Sequence, residues 1–308
     1  MSAVYWLARG GSALAKWTPQ AVRHGLGRGV GAGSYLAWRS KRLVTRQNMA
    51  QVTGRPAHDP YVRHLALASW VNYGRYAADF MNFGNTDVRD SERLGRDMTR
   101  GAPSWETYLE QALQAGRGVI LTSAHFGNWD MAGAFVARRV ALSAVVETFS
   151  DKRLNTLIQG QRQDKGFDLI PVEGSPRRIL RVLLQNQVVG IVVDRPLSPG
   201  QGTEISFFGR TTYVPSGPAT LAIKTGAAIL PGYAWYGPRG QYCFCAFPPL
   251  FPQEGAERAS EERRLTQGIY DTLEEMVRAS PTQWYMFRQF WPTSQLEQLK
   301  PAQSFTVI

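Results

Sequence analysis

Residues 117–130 of this chain read RGVILTSAHFGNWD, and both the fold class and a candidate site can be argued from this stretch. The short apolar run at 119–121 has the β-branched character of a buried strand, and His125 and Asp130 follow it. Ligands and catalytic groups gather where the strands of an α/β sheet end. Imidazole takes up a proton near neutral pH, and a carboxylate within reach would orient it. From the spacing alone, a polar loop in which Asp130 opens a helix is an equally good interpretation.

From residue 116 onward, apolar runs of strand length alternate with helical patterns. The sequence predicts strands at 119–122, 142–146, 169–172, 188–193, 205–208, 228–235 and 242–247, the last antiparallel to its predecessor. It predicts helices at 60–81, 104–115, 129–139, 152–165, 177–185, 217–225 and 257–279. This succession predicts an α/β fold with a mixed central sheet flanked by helices.

The predicted division is at residue 58. Residues 1–58 are expected to form a basic section of amphipathic helices that break at Gly10-Gly11 and at the glycines of 25–33. Residues 59–308 are expected to form one catalytic domain.

Most of the formal net charge of +11 lies at the N-terminus, because no Asp or Glu precedes Asp59. Basic residues there are interleaved with aromatic ones, among them Trp6, Trp17, Tyr35 and Trp38. This mixture is typical of a segment that lies on an anionic bilayer, with Trp and Tyr at headgroup level. A nucleic-acid patch is less favoured, since no nucleic-acid motif accompanies the charge. A helical hairpin with its Trp side chains in the core is the third interpretation.

Several other classes of protein and site find little support. No stretch has the roughly 18 uncharged apolar residues of a membrane span, and Arg9 and Lys16 interrupt any signal-peptide core. We therefore expect a peripheral protein on the cytoplasmic face of the plasma (inner) membrane. Cys243 and Cys245 are expected to be buried thiols in a reducing compartment, and no metal site is predicted. The chain lacks a GxxxxGK[ST] phosphate loop and a Gly-x-Ser-x-Gly elbow.

Further polar residues follow the predicted strands and could meet at the edge that carries His125. Glu147 ends one strand, Arg162 lies on the next helix, Asp194-Arg195 ends another strand, and Glu204 precedes Ile-Ser-Phe-Phe-Gly. Taken singly, Glu147 and Arg162 could form a structural ion pair, and Asp194 could be a turn residue. Their joint position after successive strands favours a site.

These segments resemble a known family of enzymes. The spacing His125-x4-Asp130 within SAHFGNWD resembles the signature of the glycerolipid-type acyltransferases. Three longer stretches resemble the branch that holds the lipid A late acyltransferases (lauroyl and myristoyl transferases) and the phosphatidylinositol mannoside acyltransferases. They are VVETFSDKRLNTLIQGQRQDKGFDLIPVEG (145–174), VDRPLSPGQGTEISFFGR (193–210) and VPSGPATLAIKTGAAILPGYAW (214–235). The resemblance extends over residues 54–290.

The resemblance implies roles for the polar residues. His125 would act as general base on an acceptor hydroxyl, and Asp130 would orient its ring. In the mannoside branch a glutamate ahead of the Phe-Phe-Gly segment is thought to assist the histidine, which makes Glu204 the third expected catalytic residue. The expected substrate-binding residues are Glu147, Arg162, Asn128, Asp194 and Arg195. The oxyanion would need donors, for which the backbone N–H groups of 126–128 and Arg162 are candidates.

The resemblance also implies an O-acyltransferase that moves a fatty acyl group from acyl-CoA or acyl carrier protein (acyl-ACP) to a hydroxyl of a membrane glycolipid. The acceptor would be a lipid A precursor or a phosphatidylinositol mannoside. The expected partners are the anionic membrane surface, the glycolipid and the acyl-CoA or carrier-protein co-substrate; no cofactor, metal or nucleic acid is expected. Two other functions are compatible with the same residues. One is a membrane-associated lipid esterase that uses Ser123 and His125, and the other is a lipid-binding protein without chemistry.

Overall fold

The structure, a computed structural model, describes residues 3–173 and 176–292. Its strands are β1 (Arg96–Asp97), β2 (Val119–Ser123), β3 (Leu142–Val146), β4 (Phe167–Pro171), β5 (Val188–Val192), β6 (Thr203–Phe207), β7 (Arg210–Val214), β8 (Ala228–Tyr236) and β9 (Tyr242–Ala246). Seven of them form one sheet in the order β1-β9-β8-β2-β5-β3-β4. β9 is antiparallel to β8, whereas β8, β2, β5, β3 and β4 pair in parallel. The mixed central sheet expected from the sequence is confirmed.

Helices surround this sheet and precede it. They are α1 (Ala3–Ala15), α2 (Gln20–Ala37), α3 (Arg39–Thr53), α4 (Pro60–Met81), α5 (Val88–Arg93), α6 (Trp105–Gln114), α7 (Trp129–Ala137), α8 (Lys152–Gln163), α9 (Pro176–Leu184), α10 (Gly217–Thr225) and α11 (Arg258–Ala279). Side-chain caps fix several starts: Asp59 accepts from the N–H of Tyr61 and Asn128 from that of Met131. The elements that the sequence missed, α5, β1 and β7, are short and polar, so they carry little periodic signal.

Both faces of the sheet are covered, as a parallel sheet requires. α6 and α7 pack on one face around Leu109, Met131 and Phe135, and α9, α10 and α11 pack on the other around Ile179 and Leu273. α4 packs against α1, α2 and α3 and contributes buried side chains to both cores. β6 and β7 form a separate antiparallel hairpin that packs on α11.

The N-terminal helices differ from expectation at their glycines. α1 runs through Gly10-Gly11, and α2 runs through every glycine from 25 to 33. A Cβ atom added to Gly27 would lie 2.4 Å from the carbonyl oxygen of Gly74, and one added to Gly31 would lie 2.2 Å from that of Trp70. These glycines therefore bring α2 against α4 instead of ending a helix.

Aromatic residues of the N-terminal section divide between core and surface. Trp6, Trp17 and Trp38 are exposed, so the hairpin with its Trp residues in the core is not what forms. Tyr5 and Tyr35 are buried, contrary to the expectation of headgroup-level tyrosines, and Tyr35 belongs to the main core. Because that core includes α3 and α4 alike, it crosses the predicted division at residue 58, which stays a prediction. Residues 1–2 and 293–308 of the predicted sections lie outside the described residues.

Two other expectations can be compared with the fold. Cys243 and Cys245 are buried free thiols, as predicted, and burial raises the pKa of Cys245 to about 12. Within residues 3–173 and 176–292, no helix combines the length and the apolar character needed to cross a bilayer.

Candidate active site

His125 and Asp194 form the centre of the candidate site. Nδ1 of the His125 ring lies 2.7 Å from Oδ1 of Asp194, and the His125 backbone N–H donates to both carboxylate oxygens at 3.0 Å. Asp194 is fully buried, whereas the His125 side chain keeps 32% of its surface exposed. A carboxylate on Nδ1 fixes the tautomer and leaves Nε2 as the proton acceptor.

Strand register brings these two residues together. β2 and β5 are neighbours in parallel, and their last register pair is Ser123 with Val192. His125 and Asp194 each stand two residues beyond that pair, so they leave the same edge of the sheet side by side. The expectation that Asp130 orients His125 is therefore corrected: the carboxylate on the ring is Asp194, which the sequence had placed among the substrate-binding residues.

Trp284 completes the surroundings of the Asp194 carboxylate. Its indole Nε1–H donates to Oδ2 at 3.0 Å. Burial alone would raise the pKa of Asp194, but the His125 charge and hydrogen bonds and the Trp284 donor outweigh it and hold the pKa below its usual value. Asp194 is therefore an ionised acceptor at neutral pH. Trp284 was not expected at the site, because it lies far along the chain in a segment that carries no local signal.

Asp130 belongs to a second buried cluster. It is the second residue of α7, and its carboxylate accepts from the Tyr76 hydroxyl and from Nε of Arg162, each at 2.6 Å. Burial followed by the Asp130 charge raises the pKa of Tyr76, which keeps its hydroxyl a donor. Nη1 of Arg162 donates to Gln159, whose own amide donates to the Glu147 backbone carbonyl. Arg162 therefore pairs with Asp130 and not with Glu147.

Two expected substrate-binding residues pair at the mouth of the site. The Glu147 carboxylate contacts the Arg195 guanidinium, and both side chains are partly exposed. Burial, followed by the charge of Arg288, lowers the pKa of Arg195 from its usual value. The fifth expected residue, Asn128, is buried and caps α7.

Glu204 lies outside this constellation. It stands on β6, in the hairpin, and its carboxylate accepts from the Tyr213 hydroxyl at 3.1 Å and faces Arg263 at 3.5 Å. Among the described residues that line the cavity beside His125, Glu204 does not occur. The expected placement of Glu204 beside the histidine is therefore corrected, because the hairpin carries it to the α11 side of the molecule.

The expected oxyanion donors already donate within the protein. The N–H of Phe126 donates to the Ala124 carbonyl at 2.6 Å, that of Gly127 to the Gln283 carbonyl at 2.9 Å, and that of Asn128 to the Ala234 carbonyl at 2.7 Å. The first bond lies within the segment after β2, and the other two hold that segment against Gln283 and β8. In this structure the three N–H groups therefore fix the backbone of residues 126–128.

A cavity of about 700 Å³ opens beside His125. It includes His125, Trp129, Asp130, Glu147, Arg162 and Arg195 in its wall. The remainder of the wall is largely apolar and comes from both faces of the sheet: Leu121, Leu142, Ala144, Gly190 and Phe167 with α7, and Val145, Ile191, Ile179 and Leu221 with α9 and α10.

The cavity reaches both faces because the sheet parts. β3 pairs with β5 only from Leu142 with Val188 to Ala144 with Gly190. Beyond Ala144 and Gly190, β3 stays paired with β4 and β5 with β2, but no further pair joins β3 to β5 among the described residues, and both strands line the cavity there. Residues in the middle of interior strands, which are normally buried, are only partly buried here. The cavity is therefore an apolar channel whose opening holds an oriented imidazole.

A hydroxyl or water at Nε2 could be deprotonated, and an extended apolar chain could occupy the channel. Within the described ranges, no group of three or more His, Cys, Asp or Glu side chains is placed to hold a metal ion.

The chain matches the family described as bacterial lipid A biosynthesis acyltransferase over residues 1–293, and it belongs to that family. It is therefore an O-acyltransferase. Among its relatives are the phosphatidylinositol mannoside acyltransferases of two strains of Mycobacterium tuberculosis, each 32% identical over 299 residues, or 94% of this chain and 89% of theirs. The protein of the same name from Mycolicibacterium smegmatis is 30% identical over 284 residues, or 90% of this chain and 88% of its own.

Proposed function

We propose that this protein transfers a fatty acyl group from a thioester donor to a hydroxyl group of a membrane glycolipid, with His125 as general base. The observation that carries the proposal is the 2.7 Å hydrogen bond between His125 Nδ1 and Asp194. This bond leaves Nε2 free to accept a proton at the mouth of the apolar channel. Asp194 acts through the imidazole and is a positioning residue.

The proposed reaction needs only one proton carrier. Nε2 of His125 takes the proton of the acceptor hydroxyl, and the oxygen forms a new ester bond with the thioester carbonyl carbon. The C–S bond breaks, and the leaving sulfur receives the proton that His125 holds. Buried and ionised, Asp194 stabilises the transient imidazolium without being protonated itself.

The apolar channel suits the acyl chain of the donor. Its walls beyond the polar mouth are aliphatic and aromatic, and small residues, Ala144 and Gly190, stand where β3 and β5 part. A chain that enters there leaves water and buries methylene groups at about 0.8 kcal/mol each. The donor is expected to be acyl-CoA or acyl-ACP, and both present the same thioester.

The acceptor is inferred from the names of the relatives. The family is named for lipid A biosynthesis and the three relatives for phosphatidylinositol mannoside, so a hydroxyl of a membrane glycolipid is the common acceptor chemistry. Glu147 and Arg195 at the mouth can hydrogen-bond sugar hydroxyls from an open, partly exposed position.

The N-terminal helices supply a surface for the anionic bilayer. Trp6, Trp17 and Trp38 are exposed, and each has a cation over its ring: Arg9 at 5.8 Å, Lys16 at 5.5 Å and Lys41 at 6.0 Å. Aromatic rings paired with cations fit the headgroup layer of anionic lipid. We propose a peripheral association on the cytoplasmic face of the inner membrane. Sedimentation with anionic vesicles that weakens in Trp17→Ala and at high salt would support it, and equal sedimentation with neutral vesicles would contradict the electrostatic part.

The direct test is transfer by the purified protein. Acyl-CoA or acyl-ACP is incubated with a phosphatidylinositol mannoside or a lipid A precursor, and the lipid product is identified by mass spectrometry. Gain of one acyl ester on a glycolipid, lost in His125→Ala, is the expected result. Full activity of a folded His125→Ala variant would overturn the assignment of the base. Lipid analysis of the host with and without the gene identifies which acceptor loses an acyl group.

The esterase alternative depends on Ser123. Its hydroxyl is buried and has no hydrogen-bond partner among the described residues, and it lines the cavity near His125. No hydrogen bond joins Ser123 to the imidazole in the described structure, whereas Nδ1 of that ring bonds Asp194. A Ser123→Ala variant separates the two functions, because the transferase would keep its activity and the esterase would lose it.

A further inference from the structure

A buried acid–imidazole pair lies away from the proposed catalytic groups. His24 of α2 and Asp79 of α4 are both buried, and Nε2 of His24 lies 2.6 Å from Oδ1 of Asp79. Arg23 approaches the same carboxylate at 3.8 Å. Polar groups buried inside a helix–helix contact need hydrogen-bond partners, so the other partners of the Asp79 carboxylate show what this pair is connected to.

Two tyrosines extend the hydrogen-bond network from the Asp79 carboxylate toward the active site. Oδ2 of Asp79 accepts from the Tyr236 hydroxyl at 2.7 Å and from the Tyr242 hydroxyl at 3.4 Å. Both phenol oxygens in turn accept from the side-chain amide of Asn128, at 3.3 Å and 3.2 Å. Burial, together with Asp79, raises the pKa values of both tyrosines, so their hydroxyls stay protonated and donate.

Asn128 holds the segment that carries His125. Its Oδ1 accepts from the Met131 N–H and starts α7, and its own N–H donates to the Ala234 carbonyl. The next residue, Trp129, packs its ring edge-to-face against the imidazole with centroids 5.1 Å apart. A shift of Asn128 would therefore move both the start of α7 and the wall against which His125 rests.

The other face of α2 looks outward. Val22, Leu26 and Val30 recur every four residues and are 52%, 66% and 69% exposed, whereas His24 lies on the face that packs on α4. That contact is close, because Gly27 and Gly31 bring the helix axes together. α2 therefore has one exposed apolar face and an opposite face that packs on α4 and bonds Asp79 through His24.

We propose that His24 and Asp79 are positioning residues that couple the seating of α2 on α4 to the placement of His125, through Tyr236, Tyr242 and Asn128. In this arrangement α2 is part of the scaffold of the active site as well as a surface helix. This inference rests on the proposed function for its kinetic consequence, but its structural consequence can be measured without any reaction.

The kinetic test uses His24→Ala in the full-length protein with acyl-CoA and the glycolipid acceptor. Small misplacements of a reacting group cost up to about 10²-fold, so we expect kcat to fall by about 10- to 100-fold with KM for acyl-CoA within about threefold. His24→Gln, whose amide can still donate to Asp79, should recover most of the loss. The matched control is His64→Ala on the exposed side of α4, which should leave kcat unchanged.

A second pair of variants tests whether the residues act as one chain. Tyr236→Phe should lower kcat, and the double variant His24→Ala/Tyr236→Phe should be little worse than the worse single variant, because both break one network. Fully additive effects, or a His24→Ala protein with normal kcat and only a lower Tm, would overturn the coupling. If Tyr236→Phe does not fold, Tyr242→Phe takes its place.

Hydrogen exchange separates failure of this inference from failure of the proposed function. In His24→Ala the N–H groups of Gly127, Asn128 and Met131 should exchange faster than in the wild type, while those of α9, which packs on β5 and α10, should not change. That result would support the coupling even in a protein that transferred no acyl group. Unchanged exchange at these three N–H groups would overturn it even in an active acyltransferase.

Discussion

The His125 imidazole and the Asp194 carboxylate meet because each stands two residues past the last register pair of two adjacent parallel strands, β2 and β5. The carboxylate also caps the backbone of the residue that it orients, since the His125 N–H donates to both of its oxygens. Ring and backbone are therefore held by one buried group, which in turn is held by Trp284. This arrangement makes the position of the proposed base a property of sheet pairing instead of loop conformation, and it leads to the following predictions.

Replacement of the proposed base should abolish most of the transferase activity. General acid–base catalysis contributes about 10²- to 10⁴-fold, so His125→Ala should lower kcat by at least that range. The ring is partly exposed at the mouth of the channel, so the fold should survive. Initial rates of glycolipid acylation measure the loss, and circular dichroism verifies folding; His64→Ala serves as the control.

The carboxylate that the family pattern assigned to assist the histidine, Glu204, can be distinguished from Asp194, which the structure places on the His125 ring. Asp194→Asn should lower kcat by about 10²-fold or more, because a neutral amide neither fixes the tautomer nor stabilises the imidazolium. Glu204→Gln should change kcat by less than about threefold, since Glu204 bonds Tyr213 on the hairpin. The reverse ranking of the two variants would restore Glu204 as the assisting carboxylate.

Asp194 should also make stability depend on pH in acid. Its pKa is lower in the folded protein than the usual value near 3.9, so the stabilisation that it provides is complete above about pH 4 and is lost as the pH falls through the folded pKa. The difference in free energy of unfolding between the wild type and Asp194→Asn should therefore shrink below about pH 4. Urea unfolding from pH 7 to pH 3 measures this; a difference that grows in acid would contradict the assigned direction.

The buried pair of Asp130 and Arg162 is expected to be structural in its energetic effect. Arg162→Met leaves the Asp130 carboxylate with only the Tyr76 hydroxyl, and breaking a buried pair by removing one partner costs about 3–5 kcal/mol. The control is Arg178→Met, whose pair with Asp168 is about half exposed and should cost no more than about 1 kcal/mol. Chemical denaturation of both variants gives the comparison, and equal losses would contradict it.

The channel should select the length of the acyl chain at the point where β3 and β5 part. A Cβ added to Gly190 would meet only Leu142 Cδ1, at 3.5 Å, so a larger side chain can be introduced there and would project into the cavity. Gly190→Leu should shift the preference toward shorter acyl-CoA donors while keeping the rate with the best donor within about tenfold.

The matched control for this prediction is Gly160→Leu on α8, where an added Cβ meets nothing within 4 Å. That variant should keep the chain-length profile of the wild type. An unchanged profile in Gly190→Leu, measured over a series of acyl-CoA lengths, would show that the chain does not pass this point.

Local chemistry in the sequence determined a large share of this protein. Apolar runs and helical spacing predicted β3, α4 and α10 at their observed bounds, because periodicity reflects which face of an element is buried. The stretch around His125 and the Phe-Phe-Gly region were enough to identify the family. The polar residues at strand ends were assigned to the correct strands. The glycines of α2 misled the prediction, since close packing against a helix and a helix break look alike in sequence.

The pairing of those polar residues was decided only by the tertiary structure. Nothing local reveals that β5 lies beside β2, and it is this non-local pairing that gives Asp194 to His125 and leaves Asp130 to Arg162 and Tyr76. The hydrophobic effect is not directional. The hydrophobic pattern therefore predicts that a strand is buried, but it does not predict which strand lies beside it. The position of Glu204 is likewise decided by non-local pairing. The family pattern placed this residue near the histidine, but β6 pairs with β7 in a separate hairpin that holds Glu204 elsewhere.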